Sequence, residues 1–405
     1  MKLPILVLCG WLVMMATSHV GAAEPEVCVL RADGSEVCGA ISAWDDERII
    51  VGGESSQTVA TRDIAELRFP QAKRQSHTSD WIVLGTGDRF PLTVQRIEDD
   101  VVTAGWSRSS RRPELSFPLE NVAAIIRQMP PSATVQREWF STMNRLPPSQ
   151  ETVRLVVGED LTGEFVAWEN GLLKWQAALG AIQLDLQRVR WIRFDPELTA
   201  KPPRPDVAWN VFLTDGTRFT AKSCRPNADH TVEWMLPVGG TLTIPRHEVV
   251  KATLWGTHRT PLSQRKPQAV TLTPFLTGQR ELFHDQSVAS APLSLRGEEF
   301  ATGVAMQSRA EVIYTLEPAD QHFTTTVGID DAAERRGSAR FAVRVDDRVV
   351  WTSEELTGTS PAVRVPIVPL TGAKTLTLIV EFGEYADVAD FADWCDASIW
   401  QTPQK

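Results

Sequence analysis

An internal repeat in the first two thirds of the chain constrains its fold more than any other feature. The segment GAISAWD at 39–45 is matched by GEFVAWE at 163–169. About 25 residues after each tryptophan comes an apolar closing segment, at 64–69 and at 189–194. Two looser copies follow the same order, with openings at 81–84 and 210–213 and closings at 122–127 and 249–255. One small structural unit is therefore expected to recur four times.

Each copy has the composition of a small β unit. It begins with an apolar strand, a glycine-containing turn and a second strand, and it ends in a short polar turn before the closing strand. Four or five short strands in fewer than about 60 residues are typical of a twisted sheet or an SH3-like barrel. The predicted division is a signal peptide at 1–23, β-repeat units at 24–70, 78–128, 151–195 and 206–256, linkers at 129–150 and 257–268, and a C-terminal domain at 269–402.

The C-terminal domain alternates apolar and polar residues with a period of two. This alternation predicts strands that bury one face, and the absence of convincing helices favours an antiparallel sandwich. The residues predicted to point inward are Phe323, Thr325, Val327, Ile329, Phe341, Val343, Val345, Val363, Val365, Ile367, Leu376, Leu378 and Val380. The chain is therefore expected to be all-β, with a C-terminal sandwich preceded by four small SH3-like or twisted-sheet units.

Three phrases in the C-terminal domain follow the pattern of one family. They are GVAMQSRAEVIYTL at 303–316, TVGIDD at 326–331 and ADFADWCDA at 389–397. Together they resemble the NPCBM/NEW2 domain, a carbohydrate-binding module found beside glycoside hydrolase family 98 and related to carbohydrate-binding family 51. The resemblance extends over roughly residues 270 to 402, about a third of the chain. It implies a jelly-roll sandwich and a saccharide ligand.

The chain departs from the family pattern at polar positions. Gln307 stands where the first phrase usually has histidine, and Phe391 replaces the histidine of the last phrase. Cys395 replaces an alanine of the last phrase, whereas the aspartates and Trp394 of that phrase are kept. The fold implied by the resemblance is unaffected, but the sugar-binding groups are expected to differ from those of the family.

Sugar sites need planar hydrogen-bonding groups and usually an aromatic face. On this basis the candidate ligand-binding residues are Gln307, Asp330, Asp331, Arg335, Trp351 and Asp393. An alternative role for Asp330 and Asp331 is to cap the turn that follows them. An alternative role for Trp351 is packing between the sheets.

Acidic residues recur every three positions from Glu381 to Asp396. Calcium takes carboxylate and carbonyl oxygens, so this spacing suggests one calcium ion held by Asp390, Asp393 and Asp396. The alternative is a solvated acidic loop in which single aspartates bind backbone amides. No other cofactor is indicated by the sequence.

The N-terminus has the features of a secretory signal peptide. Lys2 is followed by an apolar run at 3–15 and by small residues at 21–23. An exported chain can oxidise its cysteines. If residues 32–34 form a turn with Gly34 in the left-handed region, Cys28 lies opposite Cys38, and a disulfide is expected across this hairpin. Cys224 and Cys395 either bridge two domains or remain buried thiols.

Charge and motifs exclude several classes of protein. A net charge of -10 argues against nucleic acid and against anionic lipid as partners. After the signal peptide no stretch is apolar enough to span a membrane. The histidines are scattered, and no Gly-x-Ser-x-Gly elbow, P-loop or dinucleotide-binding fingerprint occurs. The chain is therefore not expected to be an enzyme.

Three hypotheses follow. The first is an exported, periplasmic or extracellular, non-catalytic protein that binds a polysaccharide or another glycan through its C-terminal domain. The second is a structural protein of the cell envelope with a degenerate sugar site, whose N-terminal repeats bind protein partners. The third and weakest is a glycoside hydrolase, which requires two carboxylates across a cleft.

Overall fold

The computed structural model describes residues 26–401, apart from 46, 53–54, 73–74, 76–77, 107–113, 204, 238, 257, 276–279 and 385. The predicted signal peptide at 1–23 lies outside the described residues. Almost all regular structure is β-strand, and the strands pair antiparallel throughout, which confirms the all-β prediction. No helix among the described residues is long and apolar enough to cross a membrane.

The first two repeat units have the same order of elements, with a 3-10 turn before the closing strand. Unit 1 comprises β1 (Val27–Arg31), β2 (Glu36–Gly39), β3 (Ile41–Trp44), β4 (Arg48–Val51), β5 (Gln57–Ala60), the turn Thr61–Asp63 and β6 (Ile64–Arg68). Unit 2 comprises β7 (Ser79–Leu84), β8 (Arg89–Phe90), β9 (Leu92–Glu98), β10 (Val101–Trp106), β11 (Leu115–Pro118), the turn Leu119–Asn121 and β12 (Val122–Met129). Helix α1 (Ala133–Asn144) follows in the predicted linker.

The last two units follow the same plan, although unit 3 has one long strand, Asp160–Glu169, where the other units have two shorter ones. Unit 3 comprises β13 (Glu151–Leu155), β14 (Asp160–Glu169), β15 (Leu172–Ala177), β16 (Gly180–Asp185), the turn Leu186–Arg188 and β17 (Val189–Arg193). Unit 4 comprises β18 (Ala208–Leu213), β19 (Arg218–Ala221), β20 (Ser223–Pro226), β21 (Thr231–Met235), β22 (Thr241–Pro245), the turn Arg246–Glu248 and β23 (Val249–Trp255). The polar turn seen in the sequence is thus a 3-10 turn in every unit.

The units share one large sheet, because their closing strands pair with one another. Units 1, 2 and 4 each add a three-stranded sheet of their own, with the orders β3-β4-β5, β9-β10-β11 and β20-β21-β22. Strand β12 pairs with β17, which places Ile125 opposite Ile192, and β6 pairs with β23, which places Leu67 opposite Ala252. Strand β8 pairs with β19 and joins the two pairs of units into one 14-stranded sheet. Buried residues of all four units form one continuous hydrophobic core.

The C-terminal domain contains two large sheets and a two-stranded hairpin, in which Ser294–Leu295 pairs with Glu298–Glu299. Its elements are β24 (Arg259–Pro261), β25 (Ala269–Leu272), β26 (Phe283–His284), β27 (Ser294–Leu295), β28 (Glu298–Glu299), β29 (Gly303–Gln307), β30 (Ala310–Thr315), β31 (Asp320–Ile329), β32 (Ser338–Val345), β33 (Arg348–Thr352), β34 (Leu356–Thr357), β35 (Val363–Arg364), β36 (Val368–Pro369), β37 (Thr375–Phe382) and β38 (Phe391–Gln401), with 3-10 turns at Leu262–Gln264 and Asp331–Ala333. The first sandwich sheet has the order β26-β29-β38-β31-β35, with β24 and β36 attached, and the second has the order β25-β30-β37-β32-β33, with β34 attached.

The two sandwich sheets bury their alternating apolar residues against each other. Phe323 and Val327 of the first sheet lie in one core with Phe341 and Leu378 of the second, as the period-two pattern predicted. Ile367 is an exception, because its side chain is 37% exposed and lies against the Gly34 turn of unit 1.

The long sheet is covered on both faces near its centre. Strand β18 is buried at all six positions, and alternate residues such as Trp209 and Val211 belong to the core of the units. On the opposite face, the side chain of Arg218 in the neighbouring strand β19 donates a hydrogen bond to the carbonyl oxygen of Ala301, at 3.1 Å. A strand that is buried on both faces does not alternate apolar and polar residues as a half-buried strand does. This explains why the opening segment of unit 4 is almost entirely apolar.

Arg259 joins the long sheet to the sandwich. Its guanidinium lies 3.8 Å from the centroid of the Trp255 ring and donates hydrogen bonds to the carbonyl oxygen of Ala65 and to Oγ of Ser398. Strand β24, which contains Arg259, pairs with β38. The boundary between the long sheet and the sandwich, here called the seam, is therefore held by a buried cation.

The four cysteines among the described residues have two different states. Cys28 and Cys38 face each other across the hairpin of β1 and β2 and form a disulfide, and Gly34 in the turn has a φ of 76°. Cys224 and Cys395 are buried, and neither forms a disulfide within the described part of the chain.

Candidate functional site

The three family phrases meet at one end of the first sandwich sheet. Gln307, the last residue of β29, lies opposite Phe391, the first residue of β38. On the other side of Phe391, its carbonyl oxygen accepts a hydrogen bond from the backbone N–H of Asp330, at 2.8 Å. Gln307, Phe391 and Asp330 thus lie in a row across three neighbouring strands. This end of the sheet is called the motif end below.

Asp330 is buried and supports the local backbone. One carboxylate oxygen accepts a hydrogen bond from the N–H of Ala332, at 2.7 Å, and so caps the 3-10 turn that follows. The other oxygen accepts a hydrogen bond from the N–H of Ser294, at 2.9 Å. The structure thus shows Asp330 in the turn-capping role that the sequence analysis gave as its alternative.

Asp331 holds the hairpin formed by β27 and β28. Its carboxylate accepts hydrogen bonds from Oγ of Ser294 and from the backbone N–H groups of Arg296 and Gly297, at 2.5, 3.0 and 2.7 Å. The Arg137 guanidinium of helix α1 lies 3.9 Å from the same carboxylate. Since these groups occupy both oxygens of Asp331, the residue shapes the loop beside the motif end.

Asp393 is buried, and none of the described N–H or O–H groups donates a hydrogen bond to its carboxylate oxygens. Burial raises the pKa of Asp393 well above its usual range, and the negative charge and hydrogen bond of Asp330 raise it further. Burial also raises the pKa of Asp330, although the hydrogen bond from Asp393 opposes this effect. We infer from these directions that Asp393 is the protonated member of the pair and that its O–H is the donor to Asp330.

The other predicted ligand residues lie in two places. Gln307 is half-buried at the motif end, and Arg335 is exposed in the loop that follows the Asp331–Ala333 turn. Trp351 lies on β33, at the edge of the second sandwich sheet, opposite Val343. The structure therefore does not bring Trp351 together with the other candidates, and its role in ligand binding stays a prediction.

The prediction that Asp390, Asp393 and Asp396 together hold calcium is also wrong, because their oxygens do not converge. Among the described residues, the one set of three acidic, cysteine or histidine groups close enough for an ion consists of Cys28, Glu36 and Cys38, whose cysteines form the disulfide.

Each of the three aspartates has a different environment. Asp390 accepts hydrogen bonds from Ser308 and from the N–H of Ser338, and Asp393 pairs with Asp330. Asp396 accepts a hydrogen bond from Thr302. These carboxyl groups support loops and strand ends.

Sequence reasoning did not select Phe391 or the residues that support the motif end from elsewhere in the chain. Phe391 departs from the family pattern, and this departure was the one signal in the sequence that marked its position at the motif end. Ser141 and Asn144 of helix α1 donate hydrogen bonds to the carbonyl oxygens of Ala289 and Ser290, at 2.5 and 2.7 Å. No feature of the helix sequence indicates these partners.

The two packed sheets and the converging phrases define the C-terminal third as a β-sandwich module. Residues 262–400 match the family model described as NPCBM/NEW2 domain, which confirms the resemblance carried by the three phrases. The match begins at the 3-10 turn Leu262–Gln264, within the segment predicted as a linker.

A curated protein shares part of this region. Over 108 residues, 27% of this chain, the sequence is 30% identical to a protein of Renibacterium salmoninarum named "Putative endo-alpha-N-acetylgalactosaminidase". The matched region amounts to 7% of the length of that protein.

Solved structures of carbohydrate-binding modules are also similar. One is the CBM51 module of a Clostridium perfringens GH95 protein in complex with methyl-galactose, with 26% identity, a TM-score of 0.32 and coverage of 35% of this chain and 99% of that one. Another is the tandem CBM51 pair of a family 98 glycoside hydrolase from Streptococcus pneumoniae, with 12% identity, a TM-score of 0.32 and coverage of 93% of this chain and 88% of that one.

Proposed function

We propose that the protein is an exported, non-catalytic carbohydrate-binding protein that recognises a polysaccharide or another glycan through its C-terminal domain. The observation that carries the proposal is the match of residues 262–400 to the NPCBM/NEW2 family, whose phrases meet at the motif end. The signal peptide predicted from the sequence at 1–23 supports a periplasmic or extracellular location.

The groups available to a glycan at the motif end are few. The Gln307 amide offers paired hydrogen-bond donors and an acceptor, the Arg335 guanidinium offers donors, and the half-buried Phe391 ring offers an apolar face. Asp330 and Asp393 act beneath this surface, where their shared proton holds two strand ends together.

A second candidate function is a structural or assembly protein of the cell envelope. It is supported by the internal hydrogen bonds of Asp330 and Asp331, which leave their oxygens little capacity for sugar hydroxyls. In that case the N-terminal repeats contact protein partners. A glycoside hydrolase has the least support, because Asp330 and Asp393 bind each other instead of facing across a cleft.

A glycan array probed with the full secreted chain tests the proposal. We expect selective binding to a small group of glycans, with loss of binding in the double variant Gln307→Ala/Arg335→Ala. The matched control is Arg188→Ala, which removes an exposed cation of unit 3, far from the motif end. A folded chain that binds no glycan on the array would favour the structural function instead.

A further inference from the structure

A cleft runs along the seam between the long sheet and the sandwich. It reaches the hairpin held by Asp331, but Gln307, Arg335 and Phe391 of the motif end do not line it. It consists of two neighbouring cavities of about 210 and 320 Å³, and Arg68 and Glu298 line both. Together the cavities fall within the size range of small-ligand pockets, roughly 300–1,000 Å³. The Arg68–Glu298 ion pair, at 3.4 Å, separates them. Both side chains are about half exposed, and such a pair contributes little to stability, so a ligand can displace it.

Most charges in the cleft are already paired. Glu298 accepts a hydrogen bond from the buried Lys251, at 2.8 Å, and Glu66 accepts one from Arg68, at 2.8 Å. The guanidinium of Arg259 donates hydrogen bonds to three oxygen atoms of the protein. These groups form the fixed part of the site.

Two cations of the cleft differ from the rest. The side chain of Arg364 lines the smaller cavity and that of Arg296 lines the larger one. Neither side chain makes a hydrogen bond or an ion pair with another described residue. The Arg364 charge also helps to lower the pKa of Arg259, after burial, which indicates that the two guanidiniums lie near each other. The smaller cavity thus has an unneutralised positive charge beside a buried one.

The remaining wall of the smaller cavity carries hydroxyl groups and carboxylates. Thr326 of β31 lines it, and its Oγ1 makes no hydrogen bond with another described residue. The carboxylates of Glu66 and Asp396 line the same cavity and are able to accept hydrogen bonds from hydroxyl groups. These carboxylates would repel a ligand of high charge density, such as a polyphosphate, whereas a hydroxyl-rich ligand with one acid group on each sugar unit fits both sets of groups.

We propose that the seam cleft binds an acidic saccharide, with its carboxylate on Arg364 and its hydroxyl groups on Thr326 and Glu66. A planar guanidinium binds a carboxylate through two parallel hydrogen bonds, so Arg364 favours a sugar that carries a carboxylate, such as a uronic acid. A longer acidic oligosaccharide extends past the Arg68–Glu298 pair and places a second carboxylate at Arg296. This site is separate from the motif end and does not depend on glycan binding there.

Calorimetric titration of the full secreted chain tests the proposal. The probes are a trimer of galacturonic acid, its carboxyl-reduced neutral counterpart and a sulfated trisaccharide. We expect the uronate to bind at least about tenfold more tightly than the neutral probe, and more weakly as salt is raised. Arg364→Gln is expected to weaken uronate binding by about tenfold or more, the effect of losing a charge-assisted hydrogen bond. The control Arg188→Gln removes another exposed cation, which lines neither cavity, and leaves the affinity unchanged.

Two further variants test the hydroxyl contact and distinguish the seam cleft from the motif end. Thr326→Val keeps the side-chain shape and removes the hydroxyl, so it is expected to weaken the uronate and the neutral probe by a similar factor. Gln307→Ala/Arg335→Ala is expected to leave uronate affinity unchanged, which separates this site from the motif end. Absence of uronate binding, equal affinity in Arg364→Gln, or equal affinity for the sulfated probe would each overturn the proposal.

Discussion

Asp331 accepts a hydrogen bond of 2.7 Å from the backbone N–H of Gly297, which precedes it by 34 residues. Gly297 lies in the hairpin of β27 and β28, and the next residues, Glu298 and Glu299, form ion pairs with Lys251 and Arg89 of the repeat units. A residue of the family phrase therefore positions the segment that contacts the repeats. The motif end and the seam are linked through this hairpin.

Removal of the Asp331 carboxylate should loosen the hairpin. In Asp331→Ala three donors lose their acceptor, and we expect a loss of about 2 kcal/mol in the free energy of unfolding. Hydrogen exchange of residues 294–299 should accelerate, whereas exchange in unit 3 should not change. Urea denaturation and hydrogen exchange measured by mass spectrometry check these outcomes.

A matched control is Asp346→Ala. Asp346 also accepts hydrogen bonds from two backbone N–H groups, those of Lys374 and Thr375, but it lies at the turn between β32 and β33. Its loss should leave exchange in 294–299 unaltered. Unchanged exchange of 294–299 in Asp331→Ala would show that the hairpin is held by its ion pairs alone.

The shared proton of Asp393 and Asp330 predicts a specific pH dependence. The pKa of Asp393 is higher in the folded protein than in the unfolded one. Protonated Asp393 therefore stabilises the fold fully below its unfolded pKa, about 4, and this stabilisation is lost as the pH rises through the folded pKa. In Asp393→Asn the amide donates to Asp330 at every pH. The stability of the variant relative to the native protein should therefore rise by roughly 1.4 kcal/mol per pH unit above about pH 4, until the folded pKa is reached.

Urea denaturation between pH 4 and pH 8 measures this difference. The comparison variant is Asp330→Asn, in which an amide group replaces an oxygen that accepts from Ser294 or Ala332. That variant should be less stable than the native protein across the whole range, since two donors then face each other. Parallel stability curves for Asp393→Asn and the native protein would mean that Asp393 is ionised in the fold.

The sequence predicted the strands of the sandwich, because a half-buried strand alternates apolar and polar residues. Phe323 and Phe341 could be assigned to a core from that pattern alone, and the Cys28–Cys38 register followed from a short turn. The roles of the polar residues were harder to predict. Asp330 has the same side chain whether it binds a sugar or the N–H of Ser294, and that partner lies in strand β27, 36 residues earlier in the chain.

Long-range pairing was also beyond the sequence. Strands β12 and β17 pair with each other, with Ile125 opposite Ile192, and so join two units. From the sequence alone, each of these strands could equally have closed a small barrel within its own unit. Trp351 was grouped with Gln307 because both suit a sugar, although the strand order of the sandwich puts them on different sheets. Such relationships depend on which strand edges meet in space, and local patterns contain little information about that.

Arg259 should couple the unfolding of the long sheet to that of the sandwich. In Arg259→Met the aliphatic stem still packs on Trp255, but the acceptors on Ala65 and Ser398 lose their donor. We expect a loss of about 2–3 kcal/mol, since buried acceptors are left unsatisfied. Differential scanning calorimetry should then show two transitions in place of one.

Two further variants define the cause. Arg259→Lys keeps the charge but lacks the planar fork, so its stability should lie between those of Arg259→Met and the native protein. Arg348→Met removes an exposed cation on the second sandwich sheet and should leave the calorimetric profile unchanged. A single transition in Arg259→Met with native stability would show that the pairing of β24 with β38 suffices to hold the seam.

The Cys28–Cys38 disulfide should stabilise unit 1 by restricting its unfolded state. The bridge joins residues separated by 10 positions, and closure of so short a loop contributes about 2–3 kcal/mol. In protein lacking residues 1–23, reduction should therefore lower the urea midpoint. Thiol titration in denaturant should detect Cys224 and Cys395 before reduction and all four cysteines after it.

The double variant Cys28→Ala/Cys38→Ala is the control for this measurement. Its midpoint should match that of the reduced native protein, and reductant should not shift it further. Because β1 pairs with β6, the closing strand that joins unit 1 to unit 4, the destabilisation should extend to hydrogen exchange in β23. Four titratable thiols before reduction, in protein taken from its native compartment, would show that the hairpin folds without the bridge.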